Sequence, residues 1–156
     1  MFLIMKNIFL LLLCLVFFAS CDKVPMNGDL DGMWQLMVKE DANGIKNVKS
    51  DKIYMSFQLH LVQFDGPDMD NGGSFRPRFY YGRFKHEGDS LFIYELCHNS
   101  KNETAADNNE WIKETEIDKL EQWGIYSLNN RYKVVKLDSD AMILRREDLV
   151  LTYRKF

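Results

Sequence analysis

Cysteine is scarce in this chain, three in 156 residues, and two of the three sit near the amino terminus. Cys14 falls inside an apolar leader and Cys21 directly follows it, so only Cys97 is left for the remainder. An internal disulfide is thereby excluded, and the fold must be held by its core alone. Histidine is equally sparse. His60, His86 and His98 stand apart, with no His-x-x-x-His and no His-Glu-x-x-His, so no metal site is expected. Cys97 has only the adjacent His98 to activate it, and neighbours on a strand point to opposite faces, which does not make a dyad. There is no Gly-x-Ser-x-Gly elbow and no phosphate-binding glycine loop. The carboxylates Glu103, Glu110, Glu114, Glu116, Asp118 and Glu121 read as a solvated face. These absences argue against an enzyme and against a cofactor. Positive charge is not in excess: 20 Lys and Arg against 23 Asp and Glu leave −3, with no basic block. That balance disfavours a nucleic-acid partner.

What is present begins with an address. The first twenty residues hold one charge, Lys6, and no acid; an apolar run from Ile8 to Phe18 leads to the small pair Ala19-Ser20. This is the layout of a secretion signal, too short for the ~18 to 20 apolar residues of a membrane-spanning helix. Met5-Lys6-Asn7 would itself make a normal start, so translation begins at Met1 or Met5. The segment Phe18-Ala19-Ser20-Cys21 resembles a lipobox. That resemblance implies cleavage before Cys21, a diacylglyceryl thioether on its sulfur and an acylated new amino terminus, palmitate among the chains. Two or three acyl chains, at ~0.8 kcal/mol per buried methylene, make a durable membrane anchor. We therefore expect a lipoprotein signal peptide over 1–20, a lipidated tether over 21–30 and a single folded domain over 31–156. Localisation follows as the bacterial cell envelope, with the outer membrane expected. One acid after the cysteine, Asp22, does not decide between periplasmic and surface faces.

Most of the domain alternates with a period of two. Gly32 to Lys39 is a first strand; from Ile53, residues Met55, Phe57, Leu59 and Leu61 share one face of a second. Phe79 to Lys85 and Leu91 to Leu96 form a hairpin across Glu87-Gly88-Asp89. Arg131 to Leu137, Ala141 to Arg145 and Leu149 to Tyr153 are three more strands joined by short polar turns. One segment differs: Lys113 to Trp123 spaces Ile117, Leu120 and Trp123 three apart before Gly124, which predicts a short helix lying at the barrel mouth or wall. Antiparallel strands with one apolar face each bury it by closing on themselves, which also removes exposed edges. The expected architecture is all-β: an antiparallel up-and-down barrel of about 7–8 strands with one short helix.

Two stretches carry a family resemblance. Asp29-Leu30-Asp31-Gly32-Met33-Trp34 resembles the Gly-x-Trp opening of lipocalins and their calycin relatives. In those proteins the tryptophan plugs the closed barrel end and an arginine of the last strand packs over its ring. The resemblance assigns these roles to Gly32, Trp34 and Arg154. The second stretch runs from Trp123 through Tyr126, Asn130 and Tyr132 to Leu137, and on to the final Leu-Thr-Tyr-Arg-Lys-Phe. It is similar to the lipocalin-like lipoproteins of Bacteroidetes envelopes, over Leu30 to Phe156. This implies a small lipocalin-like barrel on a lipid anchor and implies no activity.

The aromatic residues are the most suggestive material for a site. Phe79, Tyr81 and Phe84 lie on one predicted strand and Phe92 and Tyr94 on its partner. They either line a ligand cavity or fill the core of a narrow barrel. Arg76, Arg78 and Arg83 add local positive charge, and the long acidic loop 65–75 suits a lid or a docking element. Two functions are therefore carried forward. One is a membrane-anchored, monomeric module binding a small apolar or amphipathic molecule. The other is a filled barrel that docks onto an envelope protein or inhibits a hydrolase.

Overall fold

The computed structural model describes residues 26–67, 80–98 and 110–156. The expected signal segment 1–20, Cys21, Phe79, Arg76, Arg78 and most of the 65–75 loop lie outside these. The strands are β1 (Gly32–Asp41), β2 (Gly44–Asn47), β3 (Tyr54–Gln58), β4 (Leu61–Asp65), β5 (Tyr80–Glu87), β6 (Ser90–His98), β7 (Glu110–Trp111), β8 (Asn130–Leu137), β9 (Ala141–Arg146) and β10 (Leu149–Lys155). Eight of them form a closed antiparallel barrel, β1-β3-β4-β5-β6-β8-β9-β10, with β10 returning to β1. β2 and β7 are side strands, laid on the far half of β1 and on the end of β6.

The period-two pattern does the sorting. Trp34 and Leu36, Met55 and Phe57, Val62 and Phe64, and Leu151 and Tyr153 alternate along their strands and are each no more than 1% exposed. An eight-stranded ring has room for its own side chains or for one small ligand, and these side chains belong to one continuous buried core. At the end where β1 begins, a 3-10 turn over Gly28–Leu30 crosses the barrel, and Trp34 Nε1 donates to Leu30 O at 2.8 Å.

The opposite end is stoppered by Glu114–Trp123. It is a 3-10 helix, which explains the spacing of three: at three residues per turn Ile117, Leu120 and Trp123 form one row, and all three are buried. Its start is fixed by Glu116, whose carboxylate accepts the Lys113 N–H at 3.2 Å. Gly124 ends it at φ +80°, and a Cβ there would lie 2.5 Å from Leu151 Cδ1, so both backbone and packing demand glycine.

Two expectations about strands need correction. The run from Ile53 to Leu61 is not one strand: Gln58 pairs with Leu61 across a tight Leu59-His60 turn. Alternation breaks there because Leu59 takes φ +56°, which leaves Leu59 and Leu61 58% and 51% exposed. β2 was not anticipated, since Gly44-Ile45-Lys46-Asn47 is exposed throughout and carries no apolar alternation.

Candidate functional site

Of the signature residues, Trp34 is fully buried at the end where β1 begins, and Gly32 stands two residues before it at φ +118°. The cation over the indole is Lys155, not Arg154. Trp34 faces Lys155 across the β1–β10 ladder, while Arg154 faces Gln35 and so points to the other side of the sheet. Lys155 Nζ lies 5.0 Å from the ring centroid and donates to Asp29 O at 2.8 Å. Arg154 donates to Gln35 Oε1 at 3.3 Å, and Gln35 in turn donates to Lys49 O at 3.0 Å.

The described members of the aromatic cluster, Tyr81, Phe84, Phe92 and Tyr94, do not converge on one cavity. Phe84 is buried inside the barrel, edge-on to Phe57 at 5.0 Å. Tyr81 alternates with the buried Tyr80 and Gly82, and Phe92 and Tyr94 with the buried Leu91 and Ile93, which sets all three on the outer face. Strand parity thus divides residues that are close in sequence. Phe92 and Tyr94 line an outer hollow of about 560 Å³ with Lys85 and Arg131, whose guanidinium lies 5.1 Å from the Phe92 ring. Arg83 is ion-paired with Glu95 at 2.9 Å, which offsets the local charge expected of it.

Trp123 decides what the barrel can hold. Its ring packs edge-on against Phe64 and Tyr80, at 6.0 and 5.7 Å, and its Nε1 donates to Asp65 O at 3.0 Å. Leu120 beside it is fully buried. Trp123, Leu120, Phe64 and Tyr80 therefore pack together beneath the 3-10 segment at this end of the barrel.

A larger concavity lies outside the wall, at the stoppered end. It is a groove of about 870 Å³ between the β1–β2 hairpin, the 48–53 connection and the pair Pro67 and Gln122. Val48 and Ile53 form a buried floor, Ile45 is 74% exposed at the rim, and Gln122 donates to Pro67 O at 3.3 Å across the groove. Lys39 is already engaged: it donates to Glu121 O at 3.1 Å and lies 5.2 Å from the Tyr126 ring centroid. Lys46 and Lys52 complete the lining as cations, with Asp41 and Asp51 already accepting from Asn43 N and Ser50 Oγ. Of these residues only Pro67, in the 65–75 loop, belongs to a segment that the sequence marked as a candidate site. The Asn43-Gly44 dipeptide, a strong hairpin signal, was the cue that marks the flap.

A family model described as a lipocalin-like domain matches residues 14–156. The chain belongs to the lipocalin-like domain family. A lipocalin-like protein from Bacteroides uniformis is similar in structure, with a TM-score of 0.59 and 23% identity over 83% of this chain and 100% of that one. An uncharacterised protein from Bacteroides eggerthii gives 0.56 and 23%, over 81% and 99%. No curated protein matches the chain. Such barrels are characteristically ligand-binding modules rather than enzymes, and at this identity the structural likeness extends to the fold alone.

The chemistry of this lipocalin-like barrel is otherwise quiet. Among the described residues no three His, Cys, Asp or Glu side chains gather to hold a metal ion. Burial pushes the Cys97 thiol above its usual range, which opposes the thiolate a nucleophile needs. His98 lies 3.5 Å from Glu116 and 5.2 Å from the Tyr80 ring, a contact that ties β6 to the stopper. Among the buried tyrosines, Tyr132 Oη donates to Gly124 O at 2.6 Å, whereas Tyr153 Oη has no partner among the described residues, and burial raises both above the ordinary tyrosine range.

Proposed function

We propose that the chain is a membrane-anchored binding module of the bacterial envelope, lipidated on Cys21 and facing a small amphipathic ligand with the groove at its stoppered end. The observation that carries this reading is the division of space: a barrel packed by Trp123 and Leu120, and an 870 Å³ concavity beside it. Binding pockets of a few hundred ångströms cubed pair an apolar surface with a few polar groups. Ile45, Val48 and Ile53 supply the first; Lys46 and Lys52 supply cations for an anionic or strongly polar end. The anchor rests on the Phe18-Ala19-Ser20-Cys21 sequence, and the outer membrane is the destination we favour.

Native mass spectrometry on the full chain, released from membranes in mild detergent, tests this. We expect acyl mass on Cys21 and a further, non-covalent small molecule that Ile45→Glu removes. A chain carrying its acyl groups and nothing else would overturn the small-ligand reading. It would leave the filled barrel as a docking element for an envelope protein, a second reading that the packed interior itself favours.

A further inference from the structure

Apolar side chains left in water usually stand alone on a protein surface, and three together need a reason. Met26, Leu59 and Leu61 are 60%, 58% and 51% exposed, and all three belong to one end of the barrel. Leu59 is the first residue of the two-residue β3–β4 turn, and Leu61 opens β4. Met26 precedes Asn27, whose Nδ2 donates to Leu59 O at 2.9 Å, so the incoming chain is fastened to this turn. Asn27 is itself fixed, its backbone N–H donating to Asp31 at 3.0 Å. The turn carries a further cost. Leu59 holds φ +56°, a left-handed conformation that glycine or asparagine adopts far more readily, and its side chain stays more than half exposed.

From these placements we infer that the Leu59–Leu61 turn and Met26 form a contact surface for the lipid bilayer to which the chain is tethered. The inference rests on the lipidation of Cys21 proposed above. Five peptide steps separate Cys21 from Met26, a reach of at most about 18 Å. An anchored chain is thus obliged to hold this end within a short distance of the headgroups. Leucine and methionine at a protruding turn can then enter the interface, where the apolar area now facing water is covered. The surroundings fit a zwitterionic surface better than a strongly anionic one, since Asp29 and Asp31 flank the tether and Arg83 opposite Leu61 is ion-paired with Glu95. The occupant is therefore the apolar boundary of the lipid, not its charge. The groove lies at the other ends of these strands: β3 runs five residues, about 17 Å, from Ile53 at the groove floor to the Leu59 turn.

Short-range quenching separates contact from mere nearness. Leu59→Cys and, at the opposite end, Ile45→Cys are labelled with bimane in the full chain; Cys97 is buried and its thiol poorly ionised, so it stays unlabelled. Each is placed in phosphatidylcholine vesicles whose acyl chains carry bromine. We expect at least about threefold more quenching at position 59 than at 45, lost when Leu61→Asp is added. Equal quenching at the two sites, or none at 59, overturns the contact. Intact mass decides the anchor separately, because absence of acyl groups on the wild-type chain refutes lipidation. To keep the contact testable in that event, a Cys21→Ser chain with an amino-terminal histidine tag is held on nickel-chelating lipid in the same vesicles. The 59-over-45 ratio and its loss with Leu61→Asp are expected there too, and their absence again counts against the surface.

Discussion

Replacing Trp123 with alanine tests whether the 3-10 segment seals the barrel or merely rests on it. The side chain is 1% exposed, touches Phe64 and Tyr80 edge-on, and donates to the Asp65 carbonyl. Truncating a buried tryptophan costs about 3–5 kcal/mol through lost transfer energy and the cavity left behind. The orphaned Asp65 carbonyl adds about 1 kcal/mol or more unless water reaches it. We therefore expect a loss of about 4 kcal/mol, a large share of the roughly 5–15 kcal/mol that stabilises a domain. Urea denaturation followed by far-ultraviolet circular dichroism reads this directly. With a slope of roughly 2 kcal/mol per molar urea, the midpoint should fall by about 2 M. Trp123→Phe keeps most of the packing and loses the hydrogen bond, so its shift should be about a third as large. Trp111→Ala, at a residue 59% exposed, is the control and should stay within about 0.5 kcal/mol. A Trp123→Ala midpoint indistinguishable from that control would refute the packed-stopper account.

Two further predictions concern the closed end and the buried hydroxyls. Lys155→Ala should destabilise by about 1–2 kcal/mol, from the indole contact and the bond to Asp29 O, and Arg154→Ala by less; thermal unfolding of both variants ranks them, and the reverse order would restore Arg154 to the signature role. Tyr153 and Tyr132 are held protonated by burial, so their folded pKa values lie above the ordinary 10.0. Stability from this source is complete below pH 10 and falls as pH rises beyond it, by up to about 1.4 kcal/mol per pH unit for each group. Tyr153→Phe removes a hydroxyl with no partner among the described residues, so it should leave neutral-pH stability equal or higher and flatten that alkaline decline in a pH series of urea midpoints. A variant with a lowered neutral-pH midpoint would mean that the hydroxyl is bonded after all.

The barrel was legible where strands are half-buried and bounded by polar turns. Arg131–Leu137, Ala141–Arg145 and Leu149–Tyr153 appear within a residue or two of β8, β9 and β10, because β9 and β10 alternate cleanly and β8 does so up to its bulge at Val134–Lys136. Alternation misleads at Leu59 and Leu61, which continue the apolar count while the backbone turns beneath them. It is blind to β2, whose four residues are stabilised by pairing with β1 and not by burial. Parity explains the two site errors as well. Arg154 and Lys155 differ by one residue and hence by one face of the sheet, and only the register Trp34↔Lys155 tells which cation meets the indole. Phe84 and Phe92 are both aromatic hairpin residues, yet Lys85, not Phe84, pairs with Phe92, so one ring turns inward and the other outward. The groove was out of reach for a different reason: its walls come from residues 39–53, 67 and 122, far apart along the chain and unremarkable in type.

Closure of the ring also governs the order in which the molecule can be made. The seam that completes the wall joins β1 to β10, and its side-chain bonds link residues 119 and 126 positions apart, Gln35 with Arg154 and Asp29 with Lys155. Pairings among β1 to β9 can form between strands already synthesised, but this seam, like the β9–β10 hairpin, must wait for the last seven-residue strand. Until then β1 has one unpaired side, and Trp34 lacks the cation that covers it. Closing so long a loop is entropically slow, and all-antiparallel barrels of this kind fold in milliseconds to seconds. A ribosome or a translocation pore releasing the chain from its amino terminus would therefore hold an open, unsealed sheet throughout, and the first tryptophan of the fold would be the last to be covered.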